Sequence, residues 1–136
     1  MLFRKGRSTD DKDVVVIDLA YLDRLAGHIG PGPTRELLAD GLLELHERIG
    51  RIRPLADAMD VGELGSLVHN VSGLAGHLGL SQLSRAASRA EKDLRAISCG
   101  SSVVQEIALQ IEETGSPALD ALRQYLGDTD VILHEP

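Results

Sequence analysis

Apolar residues recur at steps of three and four through four successive segments of this chain. Residues at that spacing share one side of an α-helix, so each segment predicts a helix with one buried face. Because only 2% of the residues are aromatic and tryptophan is absent, the core must be aliphatic, which favours helices packed on helices. The four apolar seams are Leu38, Leu42, Leu45, Ile49, Ile52 and Ala56; Val61, Leu64, Val68, Val71, Ala75 and Leu78; Leu80, Leu83, Ala87, Ala90, Leu94 and Ile97; and Val104, Ile107, Ile111, Thr114, Ala118, Ala121 and Tyr125.

The breaks between these segments are short, so neighbouring helices are predicted to run antiparallel. The sequence therefore predicts an all-α fold, an antiparallel four-helix bundle with a short additional N-terminal helix. Asp18 is the predicted N-cap of that short helix, which is expected to run to about Gly30. The sequence GPGP at 30–33 predicts a break, after which Thr34 is the predicted N-cap of the second helix.

Further boundaries follow from single residues. Pro54 is expected to kink or end the second helix. Asp60 and Glu63 have the spacing of a capping box at the start of the third helix. Gly79 is the predicted stop of that helix, since glycine is common just past a helix end.

The C-terminal segment leaves two alternatives open. Pro117 lies within an otherwise helical pattern, so the segment is either one kinked helix or two helices, with Ser116 as the N-cap of the second. In either case the bundle is expected to occupy residues 14–127. Residues 1–13 are polar and charged and are expected to form a disordered N-terminal tail, and residues 128–136 are expected to form a C-terminal tail.

Charge and cysteine content restrict the class of protein. The formal net charge of −7 argues against nucleic acid and anionic membranes as partners. The single cysteine excludes an intrachain disulfide. The sequence contains no segment long and apolar enough to cross a bilayer, and its start lacks the apolar stretch of a secretory signal. We therefore expect a cytoplasmic protein.

The third predicted helix carries an unusual face around His69. At about 100° per residue, His69 falls roughly 150° from the centre of the apolar seam, which places the imidazole in solvent or against a partner. Glycine inside a helix costs about 1 kcal/mol relative to alanine, so a face rich in glycine needs a reason. The small neighbours of His69 on this face are Gly62, Gly65, Ser66, Ser72, Gly73 and Gly76.

Two interpretations of this small-residue face stay open. Bare backbone beside the imidazole would let another protein approach closely, and Gly65, Ser66 and Gly76 are then the predicted partner-binding residues. Glycine and serine also occur where two helices of one bundle pack tightly. We favour the first interpretation because an internal contact on that side would bury His69 opposite the core seam.

The residues that follow His69 resemble the signature of the histidine phosphotransfer (HPt) domain family of bacterial phosphorelays. The family motif reads roughly His-x-x-Lys-Gly-x-x-x-x-hydrophobic-Gly, and this chain reads His69-Asn-Val-Ser-Gly73-Leu-Ala-Gly-His-Leu78-Gly79. The histidine, both glycines and the leucine fall in register. The resemblance covers about residues 17–126 and implies a four-helix bundle.

The resemblance also implies residue roles. It makes His69 the phosphoacceptor and puts Ser72, Gly73 and Glu91 in supporting positions. Ser72 stands where the family has a lysine, and its hydroxyl can donate a hydrogen bond but brings no positive charge. Arg85, Arg89 and Lys92 could supply this charge, but an ordinary solvated face is the favoured interpretation of these three residues.

The implied chemistry needs little from the chain. Neutral imidazole is nucleophilic, so an exposed histidine can accept a phosphoryl group from an aspartyl phosphate. The implied partners are receiver domains of response regulators or hybrid kinases, which also supply Mg²⁺, so the chain needs no cofactor. It would be a phosphohistidine carrier, neither an autokinase nor a hydrolase. The alternative is an HPt-like module that binds or inhibits a kinase or receiver without carrying phosphate.

A metal site is not expected from the sequence. His69 and His77 are eight residues apart, about 12 Å along a helix, which is too far for both to bind one ion. The other histidines have no partners at ligand spacing.

Overall fold

The computed structural model describes residues 14–96 and 100–133, with side chains as far as Gly127. These residues form helices and no strand, so the predicted all-α fold is confirmed. The helices are α1 (Leu19–Ile29), α2 (Pro31–Gly50), α3 (Ile52–Asp57), α4 (Val61–His77), α5 (Ser81–Leu94) and α6 (Ser101–Leu133).

The four long helices α2, α4, α5 and α6 form the predicted bundle, and α1 is the short additional N-terminal helix. Helix α4 packs most extensively on α5, and α6 packs against α2, α3 and α5. Most seam residues point inward as predicted, although after Pro117 the residues Leu119, Leu122 and Leu126 are buried and the predicted Ala121 and Tyr125 are only half-buried. Fully buried members include Leu38, Leu45, Leu64, Val68, Val71, Ala75, Leu83, Ala87, Val104 and Ile111. Ile97, the last residue of the third seam, lies outside the described residues.

Helix α2 begins four residues earlier than predicted. Gly30 alone makes the break, with φ of 96°, and Pro31 starts the helix because its missing N–H is not needed there. Thr34 was predicted as the N-cap, which is wrong. It lies inside the first turns, only 2% exposed, and its hydroxyl donates to the Gly30 carbonyl at 2.7 Å.

The predicted break near Pro54 lies just before the proline. Helix α2 ends at Gly50, and Pro54 falls in the first turn of the six-residue helix α3. Proline has no N–H to donate to the carbonyl four residues back, at Gly50, so a continuous helix would lose one backbone hydrogen bond at this point. The periodicity did not predict α3 as a separate helix, because Ile52 and Ala56 continue the seam of α2.

Helix α6 settles the alternatives at Pro117 in favour of one helix. It runs continuously from Ser101 to Leu133, so Ser116 is not an N-cap. Packing explains why the helix passes through the proline, since Gly115, Ala118 and Leu119 are buried on both sides of it.

The same helix extends beyond the expected end of the bundle. Gly127 is absent from the positive-φ residues, so it does not act as a C-cap, and the backbone is helical as far as Leu133. Residues 128–133 of the expected C-terminal tail are therefore helical, and residues 134–136 lie outside the described residues. The expected N-terminal tail at 1–13 lies outside the described residues.

The turn between α4 and α5 is braced by the segment before α1. Gly79 takes φ of 76°, which ends α4 as predicted, and its carbonyl accepts from the Asp18 N–H at 2.7 Å. The Tyr21 hydroxyl donates to the carbonyl of His77 at 2.9 Å. Asp18 also caps α1, accepting from the Tyr21 N–H at 3.1 Å. These bonds fix the end of the α4–α5 pair.

A network of polar side chains joins α3 to α6. The Arg53 guanidinium donates to both Glu112 carboxylate oxygens, at 2.7 and 3.2 Å, and to the Gln105 side chain. The hydrogen bond to Glu112 raises the pKa of Arg53 above its ordinary value. Gln105 in turn donates to Asp57 at 3.1 Å. The short helix α3 is therefore held by a side-chain network as well as by its buried Ile52 and Ala56.

Candidate functional site

His69 lies in the middle of α4 and faces solvent, as the helical wheel predicted. Its side chain is 69% exposed, whereas its neighbours Val68 and Val71 are fully buried. The helix begins at Asp60, whose side chain accepts from the Glu63 N–H at 3.3 Å, so half of the predicted capping box is formed. The imidazole is therefore presented on the outer surface of a helix that is fixed at both ends.

Glu91 on α5 binds the inner nitrogen of this imidazole. Its Oε1 and Oε2 lie 3.1 and 3.0 Å from His69 Nδ1, and its side chain is only 18% exposed. An ionised carboxylate can only accept a hydrogen bond, so Nδ1 must donate. In the neutral ring this leaves the lone pair on Nε2. The structure thus brings together two residues that are 22 positions apart in sequence.

Arg95 extends this contact by one turn of α5. Its Nη2 donates to Glu91 Oε2 at 2.8 Å, so one carboxylate oxygen is shared between an arginine and the histidine. Sequence reasoning missed Arg95. The signal was the four-residue spacing from Glu91, which places two side chains of opposite charge on the same side of a helix.

Ser72 does not replace the family's lysine in this structure. Its hydroxyl donates to the Ser84 carbonyl at 3.1 Å, and the Ser84 hydroxyl donates to the Ser72 carbonyl at 2.9 Å. This reciprocal pair joins α4 to α5. A Cβ added at Gly76 would lie 3.3 Å from the Ser84 Oγ, so the same contact limits the size of residue 76.

Each of the two interpretations of the small-residue face therefore applies to some of its residues. Ser72 and Gly76 serve the close approach of two helices within the bundle. A Cβ added at Gly62, Gly65 or Gly73 would meet no atom within 4 Å outside its own stretch of helix, so these three glycines border open space. His69 stays exposed because the Ser72–Ser84 pair lies one turn after it and Glu91 contacts only its Nδ1 side.

An open groove of about 650 Å³ lies between the first half of α4 and the end of α5. His69 and Glu91 line it, together with the predicted partner-binding residues Gly65 and Ser66. The third predicted partner-binding residue, Gly76, lines a different groove further along the same pair of helices. The groove is also lined by Leu94 of the third seam and by Asn70 and Arg95, to which the sequence analysis gave no role.

Other candidate chemistry lacks a geometric basis in the described residues. His77 lines a groove beside Tyr21 and Leu25, separate from that of His69. Over residues 14–96 and 100–133, no three His, Cys, Asp or Glu side chains are grouped as metal ligands would be. Cys99 lies outside the described residues. Among the helices whose placement is described, none has the length and hydropathy to cross a bilayer.

Comparison with known families identifies the chain. The family model of the Hpt domain matches residues 36–129, which include α4, α5 and the His69 groove. The chain has no significant match among curated proteins or solved structures. Because the family match spans well over half of the chain, and because the bundle and its exposed histidine agree with it, the chain belongs to the Hpt domain family, whose members take part in histidine phosphotransfer in two-component systems.

Proposed function

We propose that this protein carries a phosphoryl group on His69 between receiver-domain aspartates in a two-component phosphorelay of the cytoplasm. One observation carries the proposal: an exposed imidazole on α4 whose Nδ1 is bound by the carboxylate of Glu91. That contact orients the ring and leaves Nε2 as the nucleophilic atom. The nearby glycines leave room for the partner that brings the phosphate.

The transfer step needs only this nucleophile and a correctly placed donor. The Nε2 lone pair attacks the phosphorus of an aspartyl phosphate in line with the leaving carboxylate. An N–P bond forms, the acyl P–O bond breaks, and its electron pair stays on the aspartate. The ring becomes cationic while Nδ1 keeps its proton, and Glu91 offsets that charge. The reverse step delivers the phosphoryl group to a second aspartate.

Arg95 is the residue that we assign to charge compensation in place of the family's lysine. It lines the groove with His69 and is 72% exposed, so its long side chain can turn toward a phosphoryl group on Nε2. Ser72 brings no charge and is bonded to Ser84. We assign Mg²⁺ to the receiver, because the groove offers one carboxylate, which is already bonded to an arginine and a histidine.

Phosphorylation of the purified protein tests this assignment. We expect phosphoramidate, a small phosphodonor, and a phosphorylated receiver domain both to place an acid-labile phosphoryl group on the wild-type chain. His69→Gln should abolish labelling and change the melting temperature little, because the side chain lies outside the core. His77→Gln is the matched control on the same helix and should be labelled normally. Label on His77, or equal labelling of all three proteins, would show that His69 is not the acceptor.

The replacement of the lysine supports a second candidate function. An HPt-like module that binds or inhibits a kinase or receiver without carrying phosphate would need the groove but not the nucleophile. In that case the wild-type protein would take up no phosphate from either donor but would still bind a receiver. Labelling of the wild-type protein, with a receiver-binding assay beside it, therefore separates the two candidates.

A further inference from the structure

Helix α5 differs in charge from the other long helices. It carries three basic and two acidic residues, whereas α2 carries two basic and four acidic ones and α6 one basic and six acidic ones. The three cations of α5 are spaced by four and three residues, so they share one side of the helix, and all are exposed. They are Arg85, Arg89 and Lys92. An acidic molecule of net charge −7 thus concentrates positive charge on one helix.

These cations line a groove that adjoins the His69 site, which we call the basic groove. It measures about 540 Å³ and contains four serines as well, at positions 72, 81, 84 and 88. It begins at Ser72, one turn after His69, and Lys92 directly follows Glu91. The two grooves therefore follow one another along the same side of the α4–α5 pair.

We propose that the basic groove binds a carboxylate-rich segment of the protein that docks on His69. The proposal rests on the proposed function, because it assumes that a protein partner reaches the imidazole. Such a partner covers the α4–α5 pair and must meet the groove next to it. Cations with serine hydroxyls favour carboxylates, which accept hydrogen bonds from both.

The spacing of the cations favours an extended acidic segment over a single small anion. Arg85 and Lys92 are seven residues apart, about 10 Å along the helix axis. One phosphate or sulfate ion cannot contact both ends, whereas side chains along a peptide segment can. The net charge of −7 opposes an extended polyanion such as nucleic acid, since most of the molecule would repel it.

A charge-reversal pair with a matched control tests the groove. The probe is a decapeptide of glutamate, titrated into the full-length ¹⁵N-labelled protein at low salt, with inorganic phosphate as a second probe. We expect peptide-induced amide shifts to concentrate between Ser72 and Lys92. Arg85→Glu combined with Lys92→Glu should weaken peptide binding by on the order of tenfold or more. The control combines Arg24→Glu with Arg51→Glu, which changes the net charge equally at two residues that do not line the groove. This control should weaken peptide binding far less.

The following results of the same titrations would contradict the proposal. Absence of shifts in the basic groove, or equal weakening by both charge-reversal pairs, would show that the groove is an ordinary solvated face. Phosphate that matches the peptide in affinity and in the pattern of shifts would show a simple anion site. At about 1 M salt the Debye length is only about 3 Å, so the two charge-reversal variants should then bind the peptide with similar affinity. A difference in affinity that persists at this salt concentration would contradict an electrostatic contact.

Failure of this inference and failure of the proposed function are distinguishable. Labelling of wild-type His69 by phosphoramidate requires no docking partner. If His69 is labelled but charge reversal leaves peptide binding unchanged, only the basic groove is refuted. If the peptide binds as expected but no donor labels His69, the phosphocarrier function is refuted, while the inference that the basic groove binds a carboxylate-rich segment is kept.

Discussion

At the scale of single residues, the site depends on one carboxylate with two partners. Glu91 accepts from His69 Nδ1 and from Arg95, and it is mostly buried between them. The two partners are 69% and 72% exposed, and ion pairs whose cation faces solvent contribute little to stability. The arrangement is therefore better explained by the orientation of the imidazole than by stabilisation of the fold.

Substitution of Glu91 should slow phosphotransfer without unfolding the protein. Glu91→Ala removes the acceptor for Nδ1, so the ring rotates freely and either nitrogen can carry the proton. We expect the rate of labelling by a receiver to fall by roughly 10- to 100-fold, as for other losses of an orienting hydrogen bond. Glu91→Gln keeps an oxygen acceptor and should lose less. Quench-flow measurement of the phosphohistidine signal gives both rates.

A control variant distinguishes this role from a merely structural one. Glu44 forms the same four-residue pair with Arg48 on α2 and does not line the His69 groove, so Glu44→Ala removes a comparable ion pair outside the site. It should leave the labelling rate unchanged. If Glu91→Ala slows labelling no more than Glu44→Ala does, Glu91 does not orient the histidine.

At the scale of elements, helix α4 uses its glycines for two purposes. A Cβ added at Gly73 would meet no atom within 4 Å outside its own stretch of helix, whereas a Cβ added at Gly76 would lie 3.3 Å from the Ser84 Oγ. That oxygen is held by its hydrogen bond to the Ser72 carbonyl, so it cannot move away without lengthening the bond. Two glycines three residues apart therefore respond differently to the same added methyl group.

Alanine at these two positions should change stability in different ways. Gly73→Ala replaces a poor helix former in open space and should stabilise the protein by up to about 1 kcal/mol. That corresponds to a rise in the melting temperature of roughly 4 °C for a domain of this size. Gly76→Ala gains the same helix propensity but strains the Ser72–Ser84 pair. We therefore expect its melting temperature to equal that of the wild type or to be lower.

Thermal melts of the two variants, followed by circular dichroism, provide the measurement. An equal rise for both would mean that α4 and α5 can separate slightly at no cost, and that Gly76 is not required for their packing. A fall for Gly73→Ala would mean that its surroundings are more crowded than the structure shows.

At the scale of the whole molecule, one glycine joins three helices. Gly79 ends α4, precedes α5, and accepts a hydrogen bond from Asp18 at the start of α1. A Cβ there would lie 3.2 Å from the Tyr21 ring and 3.3 Å from Leu22. Both the positive φ and the close packing thus favour glycine at this point.

Alanine at Gly79 should therefore destabilise the bundle. The left-handed backbone costs a residue with a Cβ about 1–2 kcal/mol, before any cost of displacing Tyr21 and Leu22. We expect a melting temperature lower by at least about 4 °C, with an all-helical spectrum retained at low temperature. Gly127→Ala, at a helical position with no atom within 4 Å, is the control and should not lower it. A melting temperature equal to wild type for Gly79→Ala would refute this account of the turn.

Most of the helical segments, most of the core and the exposure of His69 could be predicted from the sequence alone. These features follow from periodicity within one segment, because 3.6 residues per turn fixes which side chains share a face. The caps at Asp18 and Asp60 and the stop at Gly79 were also predictable, since each depends on a few neighbouring residues. Glu91 was named from the family resemblance, and no local pattern would have paired it with His69.

Only the tertiary structure decided what surrounds the histidine. The contact of His69 with Glu91, the Ser72–Ser84 pair and the crowding at Gly76 all depend on how α4 is rotated and shifted against α5. Periodicity gives each helix a face but not its offset along a neighbour, which is set by the fit of side chains between the two surfaces. The continuity of α6 through Pro117 has the same origin, because burial on both sides of the proline outweighs its local preference to end a helix.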